Sequence, residues 1–394
     1  MKNYINKLLL SLVFVSILNL NFYMKLDSMD GYKGDELRQV RFKNSHSYPV
    51  TCLVWHPSAL SDFFSSLSCD GNITEIKNWV LISGEGKEEQ KKIEIDSNIS
   101  SISWNKNYCS GDPRPTMFTY SDGGITFWDT ISFTKGELRS LRVINGDMNW
   151  VKLVRNNYYG HVIAVGFENK TVKIGYIDTF LDIKKCIGHE EDVAIVSCSS
   201  DMSRIISCDK IGEIIIWMFS RDESEVRMLK KIKTDTMPTS ISLNYNGEKC
   251  AVGYNDGTVE IWNIGEDSDS FKIEKWNSNK ACAVSWAKDD RIAIGYEDGN
   301  IIVFDTIDRR ALQRFNDYPH KPCCLTWDPL EVRIGIGYVN GTIEIQGAYD
   351  RRREEMYDKD FMRMGNSPGS GYYKLSFDSE KIYRKWIRTR ASYF

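Results

Sequence analysis

The chain has 394 residues, of which 42% are hydrophobic and 27% are charged, and its formal net charge at pH 7 is -3. This composition is ordinary for a globular protein with a hydrophobic core, and it excludes global disorder. The near-balanced charge gives the whole chain no attraction to nucleic acid or acidic membranes, so such binding would need a local basic patch. The only such patch that we find in the sequence lies near the C-terminus.

The first predicted region, residues 1–35, is an apolar N-terminal segment with a linker. Lys2 and Lys7 precede the apolar residues 8–17, in the charge-then-apolar order of a secretory signal. The apolar stretch is short for a membrane span, and no small-x-small cleavage site follows it. Three interpretations stay open: a signal peptide or membrane anchor through residues 8–24, a non-native extension upstream of an internal start at Met24 or Met29, and a packed helix.

A repeated pattern then occupies residues 36–347. Each copy has a tight turn followed by alternating apolar residues, with the turns at positions 71, 123, 170, 212, 257, 299 and 341. Most of these turns contain Gly or Asn, which tolerate the positive φ that a two-residue hairpin needs. Strand units that repeat every 40 to 50 residues or so indicate propeller blades. We therefore predict an all-β chain: a seven-bladed β-propeller with four-stranded antiparallel blades.

The ring of blades needs a way to protect its last edge. Residues 36–42 are similar to residues 137–143, which lie where the outer strand of a blade is expected. We predict that this N-terminal strand is the outer strand of the seventh blade and closes the ring.

The repeats resemble those of the WD-repeat family over about residues 36–347, and Gly188-His189 and Trp128-Asp129 are parts of the family signature. The resemblance implies a hydrogen-bonded set of a His, a Ser or Thr, a turn Asp and a Trp that stabilises each blade. We expect these sets to be eroded, because the fourth blade has Ile211 at the turn. The structural repeat positions implied by the resemblance are Asp70, Asp122, Trp128, His189, Trp217, Asp256, Trp262 and Asp298.

The last region, residues 348–394, begins as a charged linker and ends in a basic and aromatic tail. Interleaved basic and aromatic side chains could bind RNA, a lipid headgroup or an acidic protein groove. A solvated tail is the simpler interpretation. The candidate partner contacts in this tail are Tyr383, Arg384, Lys385, Trp386, Arg388 and Arg390.

Catalytic, metal and cofactor motifs are missing from the sequence, and we predict neither an enzyme nor a cofactor. The five histidines lack metal-ligand spacing. The ten cysteines lie singly in apolar runs, which is typical of buried thiols in a reducing compartment. Residues 83–88 resemble a phosphate-binding loop but lack its first Gly and its Ser or Thr.

A stiff ring that carries loops on two faces provides a wide binding surface. We therefore expect a non-catalytic, cytoplasmic scaffold whose partners are other proteins of a multisubunit complex. Residues 214–257 resemble the propellers of ciliary-transport subunits. This leaves a membrane-tethered or luminal propeller in secretory or ciliary trafficking as one alternative, and an RNA-associated propeller that uses the basic tail as another.

Overall fold

A computed structural model describes most of the repeated region and neither terminal segment. The described residues are 39–43, 45–55, 63–70, 73–82, 85–95, 99–103, 116–120, 125–128, 140–144, 151–156, 162–167, 169–176, 184–220, 225–265, 270–273, 279–316, 318–328 and 332–348. These residues form strands and turns, and none of them is helical. The prediction of an all-β chain is confirmed at this level.

The described strands form seven four-stranded antiparallel sheets, each built from strands that follow one another in the chain except in sheet 7. Sheet 1 contains β2 (Val50–Trp55), β3 (Phe63–Cys69), β4 (Thr74–Ile82) and β5 (Glu85–Ile95); sheet 2 contains β6 (Ile99–Ser103), β7 (Thr116–Tyr120), β8 (Ile125–Trp128) and β9 (Ser140–Ile144); sheet 3 contains β10 (Val151–Asn156), β11 (Val162–Phe167), β12 (Thr171–Tyr176) and β13 (Lys184–Ile187).

The later sheets keep the same order of strands. Sheet 4 contains β14 (Val193–Cys198), β15 (Arg204–Asp209), β16 (Glu213–Ser220) and β17 (Glu225–Lys233); sheet 5 contains β18 (Pro238–Leu243), β19 (Lys249–Tyr254), β20 (Val259–Asn263) and β21 (Phe271–Ile273); sheet 6 contains β22 (Ala281–Trp286), β23 (Arg291–Tyr296), β24 (Ile301–Asp305) and β25 (Arg310–Phe315); sheet 7 contains β26 (Pro322–Trp327), β27 (Arg333–Tyr338), β28 (Ile343–Gly347) and β1 (Val40–Phe42).

Sheet 7 joins the two ends of the repeated region. Strand β1 pairs antiparallel with β28, and Val40 lies opposite Ile345 while Phe42 lies opposite Ile343. The segment for which we predicted an outer strand is therefore the outer strand of this sheet. The Phe42 ring also packs on Trp79 of sheet 1, with ring centroids 4.7 Å apart.

Neighbouring sheets contact each other through their first strands. Strand β2 contacts β6, β6 contacts β10, and the same relationship continues through β14, β18 and β22 to β26. Strand β26 in turn contacts β2. Apolar clusters lie between adjacent sheets, such as the cluster that joins Val172 and Ile174 of sheet 3 to Val193 and Ile205 of sheet 4. Burial of one such side chain stabilises the fold by about 1.5–3 kcal/mol. This arrangement is consistent with a β-propeller.

The hairpin turns use the backbone conformation that the sequence pattern predicts. Gly299 has a φ of 93°, and a Cβ atom at this position would lie 2.2 Å from the carbonyl oxygen of Tyr318. Only glycine fits there without moving the backbone of the neighbouring loop. Lys170 holds the equivalent position in sheet 3 with a φ of 65°, a left-handed conformation that a residue with a side chain adopts at some cost.

Candidate functional site

A groove runs between the outer strands of sheets 3 and 4. It lies between β13 and β17 and has a volume of about 460 Å³. The side chain of Trp217, on β16, contributes to its lining together with both outer strands. Among the described residues, those that line the groove are Lys184, Lys185, Cys186, Ile187, Trp217, Glu225, Val226 and Met228.

The groove combines exposed apolar side chains with positive charge. Ile187 on β13 is 70% exposed, and Met228 on β17 is 42% exposed. The sequences of the two strands, KKCI and EVRMLKKIK, contain six lysines and arginines and a single glutamate. The two strands therefore carry a net positive charge, part of which is offset by the ion pairs of Arg227 with Glu225 and of Lys231 with Glu213.

This basic surface was not expected from the sequence, in which we found a patch only near the C-terminus. Residues 188–224 separate β13 from β17 in the chain, and the fold brings the two strands together. Lys231 marks their proximity, because its Nζ donates a hydrogen bond to the carbonyl oxygen of Gly188 at 2.9 Å. The structure thus adds a second basic patch to the predicted one.

A buried hydrogen-bonded network lies behind the groove and holds the Trp217 indole in place. Trp217 Nε1 donates to Ser207 Oγ at 2.8 Å, and His189 Nε2 lies 2.6 Å from the same oxygen. The imidazole of His189 is fully buried. Two of the predicted repeat positions, His189 and Trp217, therefore meet at a serine on β15 that the sequence analysis did not single out.

Two carboxylates approach the other side of the His189 ring. Asp209 Oδ2 lies 3.4 Å from His189 Nδ1, and Glu213 Oε2 lies 3.9 Å from it. Burial lowers the pKa of His189, while the negative charges of Asp209 and Glu213 act to raise it. Lys231 donates to the other oxygen of Glu213 at 2.8 Å, and this hydrogen bond raises the pKa of Lys231.

The acidic partner of His189 is thus present, contrary to the erosion that we expected for the fourth blade. Ile211 does occupy the turn, where it is partly exposed. Asp209, two residues earlier at the end of β15, supplies the carboxylate instead. Its Oδ1 accepts the backbone N–H groups of Ile211 and Glu213 at 3.1 and 2.8 Å, so the same side chain also stabilises the turn.

Sheet 1 contains a similar network with a different acid. His46 Nε2 lies 2.6 Å from Ser66 Oγ, which accepts a hydrogen bond from Trp79 Nε1 at 2.7 Å. His46 Nδ1 lies 3.2 Å from Glu75 Oε2. Asp70, the predicted repeat position, is exposed, and its Oδ1 accepts the backbone N–H of Ile73 at 2.7 Å.

The predicted positions in sheets 5 and 6 form local contacts. Asp256 and Asp298 accept the backbone N–H groups two residues later, at 2.9 and 3.1 Å. Trp262 Nε1 donates to Glu260 Oε2 at 2.8 Å. Asp256 and Trp262 therefore brace their own hairpin, whereas Asp298 Oδ2 also accepts a hydrogen bond from Asn279 Nδ2 at 2.8 Å. The structure does not bring these side chains into one site.

The remaining candidates lie outside the described residues. These are Asp122, the side chain of Trp128, the apolar residues 8–24, and the tail residues Tyr383, Arg384, Lys385, Trp386, Arg388 and Arg390. Among the residues that the structure describes, no helix has the length and apolar character needed to cross a membrane.

Comparison with known proteins gives distant similarities over about a third of the chain. WD repeat-containing protein 35 from Rattus norvegicus and from Mus musculus is 25% identical over 145 residues, which cover 33% of this chain and 12% of that protein. The 66 kDa stress protein of Physarum polycephalum is 21% identical over 142 residues, which cover 36% of this chain and 23% of that protein. The chain thus spans less than a quarter of the length of these relatives. No family model matches it. The distant similarities to WD repeat-containing protein 35 suggest a WD-repeat family.

Proposed function

We propose that the protein is a non-catalytic scaffold for other proteins, built as a seven-bladed β-propeller that its N-terminal strand closes. The distant similarity to WD repeat-containing protein 35 supports this proposal, because WD-repeat propellers are typically non-enzymatic. The pairing of β1 with β28, together with the contact between β26 and β2, supports the closed ring.

The observation that carries the binding function is the groove between β13 and β17. Most of a protein surface mixes charged and scattered apolar residues, whereas here the exposed side chains of Ile187 and Met228 line the same groove. An apolar side chain gains about 25 cal/mol for each Å² removed from water, so a partner that covers these residues would be held by them. The surrounding lysines favour an acidic partner, because complementary charge steers association and selects partners.

The outer strands also offer backbone groups to a partner. Strands β13 and β17 are the edges of their sheets, and an edge strand can pair with an added extended segment. We therefore propose that an extended segment of a partner protein, with acidic and apolar side chains, occupies the groove. We also propose a cytoplasmic location, and the nine free thiols among the described residues support this proposal.

The test is purification of the tagged chain from its native cells, with quantitative mass spectrometry of the proteins bound to it. The perturbing variant is Lys184→Glu/Lys185→Glu. The matched control is Arg310→Glu/Arg314→Glu, which makes the same change of charge on β25, another outer strand with exposed arginines.

We expect a stoichiometric set of partners on the wild-type chain and on the β25 variant, and its loss from the β13 variant. Equal retention by both variants would show that the groove is not the binding surface. A wild-type chain that carries no stoichiometric partner would contradict the scaffold function itself.

A further inference from the structure

We propose that His189, Asp209 and Glu213 form a binding site for a divalent transition-metal ion, with Zn²⁺ as the ion that suits them best. The ligand atoms are His189 Nδ1, Asp209 Oδ2 and Glu213 Oε2, which all lie within 4.8 Å of one another. The three side chains come from β15, β16 and the loop before β14, and all three are buried.

The three converging atoms have no hydrogen-bond partner among the described residues. No described protein group forms a hydrogen bond with His189 Nδ1, Asp209 Oδ2 or Glu213 Oε2. A buried polar atom without a partner costs about 1–3 kcal/mol, and a bound cation would satisfy all three at once.

The second polar atom of each side chain is already bonded, and this orients the first. His189 Nε2 lies against Ser207 Oγ, Asp209 Oδ1 accepts two backbone N–H groups, and Glu213 Oε1 accepts from Lys231. Metal ligands are commonly held in this way, because a hydrogen bond on the far side of a histidine or carboxylate aims its free atom at the ion. With the proton on Nε2, the lone pair of His189 Nδ1 points to the carboxylates.

The two distances from His189 Nδ1 to the carboxylates are closer to those around a tetrahedral ion than to a hydrogen bond. Two ligands bound to zinc at about 2.1 Å in tetrahedral geometry lie about 3.4 Å apart. The distances from His189 Nδ1 to Asp209 Oδ2 and to Glu213 Oε2 are 3.4 and 3.9 Å. A hydrogen bond from N–H to oxygen is usually near 2.9 Å.

Sheet 1 provides an internal comparison that lacks the second carboxylate. His46 Nδ1 lies within hydrogen-bond distance of Glu75 Oε2, so a proton completes that network. The residue that corresponds to Asp209 is Ser68. Sheet 4 therefore has one more buried carboxylate than a protonated ring nitrogen can bond.

The experiment uses the untagged full chain, freed of metal with a chelator and then dialysed against Zn²⁺ or Co²⁺. Metal content and the visible spectrum of the Co²⁺ form are measured for the wild type and for Asp209→Asn, Glu213→Gln and Glu75→Gln. Each substitution replaces a carboxylate by an amide of the same shape, and circular dichroism checks the fold. Glu75→Gln in sheet 1 is the matched control.

We expect one zinc per chain in the wild type and in Glu75→Gln, with affinity at least about tenfold lower in the two sheet 4 variants. The Co²⁺ form should show visible d–d bands without the near-ultraviolet charge-transfer band that thiolate ligands produce. A cobalt spectrum with a thiolate band would assign the metal to cysteines and overturn the proposal. A wild-type chain that binds no more zinc than Asp209→Asn would also overturn the proposal. That result would indicate that a proton, rather than a metal ion, lies between His189 and Asp209.

Discussion

Removal of the Ser207 hydroxyl should destabilise the protein strongly, because two buried polar groups form hydrogen bonds with it. Ser207 Oγ accepts the indole N–H of Trp217 at 2.8 Å and lies 2.6 Å from His189 Nε2. In Ser207→Ala both groups lose their partner inside the protein. Each buried polar group left unpaired costs about 1–3 kcal/mol. For the two groups together, we therefore expect the free energy of unfolding to fall by about 2–6 kcal/mol.

The matched control is Ser68→Ala, which removes a hydroxyl from the equivalent strand of sheet 1. Ser68 is fully buried, and its hydroxyl bonds to no group among the described residues. Its loss should change the free energy of unfolding by less than about 0.5 kcal/mol or stabilise the protein. Urea unfolding, followed by circular dichroism, compares the variants at equal m-values. A Ser207→Ala variant that is no less stable than Ser68→Ala would refute the network.

Three further predictions concern the turns, the thiols and the N-terminal strand. Gly299→Ala should lower the free energy of unfolding by at least about 1–2 kcal/mol from backbone strain alone. Gly265 has open space around it, so the control variant Gly265→Ala should not destabilise the protein. Equal urea midpoints for the two variants would contradict this prediction. Burial raises the pKa of the Cys186 thiol to about 12, so iodoacetamide at pH 8 should label this cysteine only after unfolding, and labelling at the unfolded rate in the native protein would contradict its burial. Phe42→Ala should cost about 3–5 kcal/mol if β1 docks between β28 and Trp79, and a neutral effect in the same urea assay would argue against ring closure.

The regular part of the fold could be predicted because its signals are local. Asp256-Gly257 and Asn340-Gly341 specify tight turns through their own conformational preferences, and the alternating residues that follow them specify strands. The described turn positions 170, 212, 257, 299 and 341 all have positive φ. The similarity of residues 36–42 to residues 137–143 was enough to predict an outer strand.

The buried networks could be predicted only in part. The histidine and the tryptophan lie at the expected positions of the repeat, whereas the acidic residue lies at a different position. In sheet 4 the carboxylates come from Asp209 and Glu213 rather than from the turn position, and in sheet 1 from Glu75 rather than from Asp70. A search for acidic residues at any position facing the histidine would have found them. A spacing rule tied to the turn could not.

The groove could not be predicted from local pattern at all. KKCI and EVRMLKKIK look like ordinary solvated edge strands when each is considered alone. Their charges and apolar residues add up to a binding surface only when sheets 3 and 4 lie side by side. Residues 188–224 separate the two strands in the sequence, so a search for clustered charge along the chain does not detect that β13 and β17 are close in space.

Hydrogen–deuterium exchange of the chain alone and of the complex purified from its native cells tests the proposed scaffold most directly. An edge strand exchanges quickly when its outward amides face water, and it becomes protected when a partner covers or pairs with it. We predict that amides of Lys184–Ile187 and Glu225–Lys233 are protected in the complex, while β25 exchanges at the same rate in both samples. Unchanged exchange in β13 and β17, with protection elsewhere or nowhere, would contradict the account.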